Sequence, residues 1–431
     1  MKRKAVLAIM LTLLFIGILS LTFGIQQVEA SGTITIKADG SVEGTTDISN
    51  VDNVTYTFTG NINDSIVIER DNIVVDGAGY TLQGTGSEIG IYLLPFLRSN
   101  VTIKNMEIKN FLVGIQLSYA SNNTISGNKI TAFGYCGIYM TPYASHNTIS
   151  GNTITEPSDI YIDGIYLGEN SGNNIISGNY IDGLYEYGIR GGASSNNIIS
   201  GNTIKDTYNG IYFSGGSNNT IYNNNFINHP TDFHCPLSTT LDAGYPLGGN
   251  YYESPWHRYN GADLFSGPFQ NETGSDGIGD TAHVIDANNT DNYPLMGMFS
   301  DFKATSEYHV QIICNSSWWY QPISDFQFNG TAISFNVTGE TDTTGFCRIC
   351  IPRALMNETY QVFVNGTEVQ CNLLPCSNTT YSYLYFTYNH STQEVIIVPE
   401  FPTWTSMLLI LIVLTAAIAT YKRRLLKTQI H

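Results

Sequence analysis

From about residue 66 to residue 230, apolar residues come in bursts of two or three, alternating with polar ones and bounded by Gly or Asn. That is the period-2 pattern of short strands joined by tight turns, not the 3.6 period of helices. One phrase reads Asn122-Asn123-Thr124-Ile125-Ser126-Gly127-Asn128 and recurs over residues 146–152, 173–179, 196–202 and, more loosely, 218–224. Its central isoleucines stand at 125, 149, 176, 199 and 221, a period of 22–27 residues. A second phrase is interleaved at nearly the same period. It runs Gly90-Ile91-Tyr92-Leu93, Gly114-Ile115-Gln116-Leu117, Gly137-Ile138-Tyr139-Met140, Gly164-Ile165-Tyr166-Leu167, Gly188-Ile189-Arg190-Gly191 and Gly210-Ile211-Tyr212-Phe213. Each period therefore holds at least two strands.

Leucine-rich repeats have similar periods but need a Leu-x-x-Leu-x-Leu frame that is absent here, and a propeller needs about twice the period. Stacked coils remain, so the sequence predicts an all-β chain built on a right-handed parallel β-helix. Alternation places Ile and Leu or Met inside and the residue between them outside. Each inner side chain then rests on its equivalent about 4.8 Å away in the next coil. Asn128, Asn152, Asn179, Asn202 and Asn224 are expected to stack at one turn as a structural amide ladder.

These phrases resemble the NosD-like and carbohydrate-binding/sugar-hydrolysis (CASH) group of β-helix proteins over roughly residues 66–296. The resemblance implies the fold, while the group's functions are diverse. The NosD likeness also implies copper handling, for which His229, His234 and Cys235 are the only compact set of soft ligands.

The flanks divide the rest of the chain. Residues 1–30 carry Lys2 to Lys4, a long apolar run and Val28-Glu29-Ala30, the pattern of a cleaved signal peptide; an uncleaved anchor is the alternative. Residues 31–65 are expected to cap the open end, residues 66–240 to form the coils and residues 241–300 to close them. Within the closing segment, Asp276, Asp280, Asp286 and Asp291 offer oxygen ligands for Ca²⁺, the alternative being a solvated Asp/Gly turn. Residues 305–397 change to longer alternating strands with Asn-Gly turns, as in a small β-sandwich. It holds Cys314, Cys347, Cys350, Cys371 and Cys376, for which disulfides are expected ahead of a zinc site.

Residues 398–431 hold Pro399-Glu400-Phe401, an apolar stretch and a basic tail. Together these resemble the archaeal PEF-CTERM sorting signal, which implies an archaeosortase as partner; a plain transmembrane anchor is the alternative. Either way the body is expected outside the cell and the tail in the cytoplasm. Asn-x-Ser/Thr sequons such as Asn218, Asn271 and Asn329 fit a glycosylated surface protein.

Charge narrows the partners. The net charge of -17 understates the acidity of the body, because seven cations lie in the tails, so nucleic acid and polyanions are repelled. The candidate binding face is the outward ladder Tyr92, Gln116, Tyr139, Tyr166, Arg190 and Tyr212, which can meet sugar rings and hydroxyls. Stabilisation of neighbouring coils by stacked Tyr is the competing reading. A hydrolase needs two carboxylates facing one bond. Counting back from Gly164 and Gly188 places Asp163 and Glu186 on opposite sides. Glu156 and Asp159, in the extra residues of the long coil, are the alternative acid pair, with Asp182 or Arg190 nearby. The reading that leads is a surface β-helix that binds glycans or contributes to the envelope and requires no cofactor. A polysaccharide-active enzyme stands second.

Overall fold

The computed structural model describes residues 32–94, 97–156, 161–315, 321–356 and 359–400. Among them there is no helix, and so none long and apolar enough to cross a membrane. Residues 32–240 wind as a parallel solenoid whose strands fall into a 16-stranded and a 9-stranded sheet. A representative coil runs through Thr148–Ser150 on the smaller sheet, then Thr153–Thr155 and Asp163–Leu167 on the larger one. In the two preceding coils the latter pair fuse into single bent strands, Glu107–Leu117 and Lys129–Met140.

The repeat period becomes register. Ile103, Ile125, Ile149, Ile176, Ile199 and Ile221 stack residue on residue along the smaller sheet. Ile108, Ile130, Ile154, Ile181, Ile204 and Phe226 form a second ladder, and Ile115, Ile138, Ile165, Ile189, Ile211 and Phe233 a third. Nearly all are fully buried in one continuous core. Where Gly191 leaves a gap in a neighbouring ladder, the Phe213 ring of the next coil fills it.

The Asn ladder is present and there are two of them. In the expected one, each amide oxygen accepts the backbone N–H and side-chain N–H of the preceding coil, from Asn128 through Asn152, Asn179, Asn202 and Asn224 to Asn250. A second ladder of the same design joins Asn123, Asn147, Asn174, Asn197 and Asn219. These buried amides satisfy turn backbone that no strand reaches.

Both ends of the solenoid are covered. Parallel pairing begins as early as Ile34–Ile36 against Ile66–Ile68, and Val42–Glu43 and Ile48–Asn50 add antiparallel strands at the open edge. At the far end Asp291 accepts the N–H of Asn250, the last rung of the longer ladder, at 2.7 Å.

Beyond Met298, two five-stranded antiparallel sheets share a core of Val310, Ile312, Ile333, Phe335, Ile349 and Val395. The outer face of the first sheet packs through Phe299, Phe346 and Tyr385 on Ile278 and Leu295 of the closing segment. Buried Arg348 ties the two together, donating to the carbonyls of Asp276 and Pro246.

The Cys-x2-Cys pair does not make a zinc knuckle. Cys347 and Cys350 both lie on strand Thr344–Pro352, where an i, i+3 spacing sends side chains to opposite faces. Cys347 joins the core between the sheets and Cys350 the core against the closing segment. Cys347 instead lies opposite Cys314 on the adjacent strand, with the sulfurs 3.3 Å apart. All seven cysteines are free thiols here, and Cys136 is fully buried. Oxidation by a small-molecule disulfide is expected to join Cys314 to Cys347, the two thiols giving up two protons and two electrons. Peptide mapping without reductant checks this, and a recovered Cys347–Cys350 bridge would contradict it.

Candidate functional site

The outward residues of the Gly-Ile phrase form one column in register: Tyr92, Gln116, Tyr139, Tyr166, Arg190, Tyr212 and then His234. His234 extends the expected ladder by one coil. The rings stack on each other, Tyr139 on Tyr166 at 5.2 Å between centroids and Tyr212 on His234 at 5.0 Å, both near parallel. The Arg190 guanidinium bridges the middle, 4.9 Å from the Tyr166 ring and 5.2 Å from Tyr187. Stacking along the column uses ring faces, so the stripe turns ring edges and hydroxyls outward. Coil-to-coil stabilisation and ligand contact are thus compatible in the same side chains.

A second aromatic row, not anticipated from the sequence, flanks the first. Tyr135, Tyr161, Tyr185 and Tyr208 are 41%, 71%, 47% and 60% exposed, which leaves them available to a ligand. Tyr161 meets Tyr185 edge to face at 5.1 Å, and Tyr135 meets Tyr139 at 6.2 Å. Each precedes the Gly of its Gly-Ile phrase by two or three residues, a spacing that was readable.

Between the two rows lies Asp163. It pairs in register with Tyr187, one residue beyond Glu186, and its Oδ2 is 3.4 Å from Nη1 of Arg190. Its Oδ1 is buried without a partner. Burial pushes this carboxyl up to about 7, Arg190 pulls it back down, and the charge of Glu186 adds to the rise. The Asp163–Glu186 pair set aside on the count from Gly is therefore electrostatically close. The register agrees with the count from Gly: Asp163 stands opposite Tyr187, so Glu186 falls one position off and the two carboxyls do not share a face.

Of the alternative acid set, the two described carboxylates, Glu156 and Asp182, are engaged within the coils. Glu156 turns its carboxylate to the backbone N–H of Phe133 at 2.9 Å, capping the neighbouring coil. Asp182 accepts the hydroxyl of Tyr180 at 2.8 Å. Asp159 lies outside the described residues. Of the three described, Arg190 alone sits on the aromatic column.

The four aspartates of the closing segment serve separate turns. Asp276 accepts from Ile278 N–H and faces Arg348, and Asp280 accepts from Leu264 and Phe265 N–H. Asp286 accepts from Asn288 and Asn289, and Asp291 from Asn250 and Tyr293. The bonds from Ile278, Asn288, Asn289 and Tyr293 are local Asx-type bonds, whereas those of Asp280 and of Asp291 with Asn250 tie distant segments together. His229, His234 and Cys235 diverge as well. His229 is enclosed with its ring nitrogens 2.9 Å and 3.1 Å from the Ile204 and Thr207 carbonyls, His234 is on the outer column, and Cys235 is in the solenoid core. Among the described residues no three His, Cys, Asp or Glu side chains are placed to hold one metal ion. Of the sorting motif, Pro399 ends a strand and Glu400 donates its N–H to the Thr359 carbonyl, whereas Phe401 lies outside the described residues.

Burial also makes the whole molecule sensitive to pH. The carboxyls of Asp163, Asp263 and Asp291 are each pushed up to about 7. A free Asp titrates near 3.9, so between these values the folded chain holds protons that the unfolded chain has lost, and stability falls as pH rises. His229, pulled down to about 4 by burial, acts in the opposite sense but only below the unfolded value near 6.5. The thermal midpoint is expected to drop between pH 6.5 and pH 8; a flat or rising midpoint in a thermal melt contradicts this.

Residues 89–244 match the family described as the right handed beta helix region. No curated protein matches the chain. Among solved structures, a periplasmic alginate epimerase is similar at 16% identity over 48% of this chain and 56% of its own, with a TM-score of 0.32. The tailspike protein named Dettilon is similar at 16% identity over 78% and 68%, with a TM-score of 0.31. An alginate lyase from Paenibacillus sp. is similar at 17% identity over 47% and 89%, with a TM-score of 0.26. This chain thus spans about half of the epimerase. The right-handed β-helix assignment stands on the family match and the chain's own ladders, not on these distant likenesses.

Proposed function

We propose that the protein is a cell-surface β-helix whose aromatic stripe binds a neutral glycan strand. The observation that carries this reading is the unbroken column from Tyr92 to His234, walled by the exposed row of Tyr135, Tyr161, Tyr185 and Tyr208. A groove of tyrosine edges, with hydroxyls and one guanidinium, suits a ligand rich in hydroxyl groups and C–H faces. The acidic body favours an uncharged strand. In this reading the signal segment exports the chain, and the PEF-type signal, cut by an archaeosortase, or a plain membrane helix holds it at the surface. The two antiparallel sheets then act as a β-sandwich spacer. Copper and calcium play no part in it.

A second reading, a polysaccharide-active enzyme, is favoured by Asp163. A carboxyl poised near neutral pH beside an arginine and tyrosines can exchange a proton with a bound sugar. The two readings separate in one experiment. The purified exterior domain is incubated with neutral polysaccharides while retention and newly formed chain ends are both followed. Binding predicts saturable retention with no product; catalysis predicts product that Asp163→Asn abolishes. Neither retention nor product from any polymer contradicts both.

A further inference from the structure

The aromatic stripe ends in a cavity. The Gly that heads each Gly-Ile phrase is required because a Cβ there would stand 2.5–2.8 Å from a carbonyl oxygen of the next coil, from Gly90 under Gly114 to Gly210 under Asp232. Asp232 is the next member of that column. Its strand, Thr231–His234, is the last on this branch of the sheet, so no further coil forbids a side chain. The Asp232 carboxyl is 2% exposed, and neither of its oxygens has a hydrogen-bond partner.

It lines a cavity of about 240 Å³ together with His234, His257, His283, Ile285 and Asp286. Nε2 of His283 is likewise buried and unpartnered. The His283 ring is set by Tyr252 at 4.4 Å and Tyr259 at 5.6 Å. Three buried polar atoms without partners, on two residues that line one cavity, cost stability that the fold does not recover. A ligand bearing hydroxyl groups satisfies them. An anion is disfavoured by the carboxylate of Asp286. The volume lies below the roughly 300–1,000 Å³ of sites for drug-sized ligands, and suits one ring.

We propose that this cavity receives the terminal sugar unit of a glycan strand lying on the stripe. Asp232 and His283 hydrogen-bond its hydroxyls, and the His234 ring passes the strand from Tyr212 into the cavity. The inference rests on the glycan-binding reading and adds to it a recognition of chain ends.

The test uses gluco-, manno- and chito-hexaoses and the long polymer of each series, compared at equal mass of sugar. End recognition predicts that for the bound series the hexaose, far richer in ends, competes at least tenfold better than the polymer. Asp232→Leu and His283→Phe should remove that advantage while polymer retention persists, and Tyr166→Ala should weaken both. Because Asp232 has no partner in the free protein, the thermal midpoint of Asp232→Leu should not fall below that of the wild type. If both variants keep the hexaose advantage, the cavity inference is overturned and the stripe reading stands. A lowered midpoint in Asp232→Leu assigns the residue to the fold and also overturns it. If the wild type retains no sugar of the panel, both fall together.

Discussion

Replacing Asn179 by Ala is expected to destabilise the solenoid by about 3–5 kcal/mol, the upper range for a single substitution. The Asn179 side chain donates to the Ile149 carbonyl and to Asn202 Oδ1, and accepts from both the backbone and the side-chain N–H of Asn152. Alanine leaves the Asn152 N–H and the Ile149 carbonyl buried without those partners, where water cannot reach. Each such orphan costs about 1–3 kcal/mol. The effect should also change the shape of the transition. A solenoid couples each coil only to its neighbours, so a break at the middle rung lets the two halves unfold separately. Denaturant unfolding should show a lower midpoint and a broadened or split transition. Ser177→Ala, at an outward position of the same coil, should leave the curve within about 0.5 kcal/mol of wild type. If Asn179→Ala behaves like Ser177→Ala, the ladder is decoration.

The largest expected effect on binding comes from removing the stripe itself. Tyr139, Tyr166 and Tyr212 each present a half-covered ring on the same outer column, so each contributes to ligand contact about what an aromatic pair contributes, near 1 kcal/mol. Changing all three to Ala should lower affinity for the retained glycan about 100-fold. The core ladders of Ile138, Ile165 and Ile211 are untouched by these substitutions, so the solenoid should remain folded by circular dichroism. The stacks Tyr139–Tyr166 and Tyr212–His234 do stabilise adjacent coils, and a modest fall in thermal midpoint is expected with their loss. A full loss of thermal stability with unchanged binding per folded molecule would reverse the assignment, making the stripe a strut and not a site.

Much of this architecture is legible before any coordinates, because a repeat writes one physical constraint many times. Ile125, Ile149, Ile176, Ile199 and Ile221 each need the same neighbour one coil away, and their spacing is the coil length. The Asn128 ladder is equally readable, since a buried turn must find partners for its backbone. Its twin at Asn123 was present in the same phrase, but a single polar position beside a turn reads as solvated until its burial is known. The flanking tyrosines escape a search for fixed spacing because their offset from the Gly varies between two and three residues.

The sites are harder than the scaffold. Counting gives the face that Asp163 takes but not its burial beside Arg190, which only the folded coils show. The cavity at the stripe's end joins Asp232 to His283, far apart in sequence and brought together only when the closing segment folds over the last coil. Spacing also misleads where a strand intervenes. Cys347 and Cys350 look like a metal-binding pair until strand geometry sends them to opposite faces.

The central claim is that successive coils contact successive units of one strand. The seven positions from Tyr92 to His234 make six steps of about 4.8 Å, a groove roughly 29 Å long. Titration calorimetry with neutral oligosaccharides of increasing length, drawn from the polymer that is retained, tests this directly. Affinity should rise with each added unit and level off once the chain spans the stripe. Affinity that is already maximal for a disaccharide would place the contact at one point and contradict a face built for a strand.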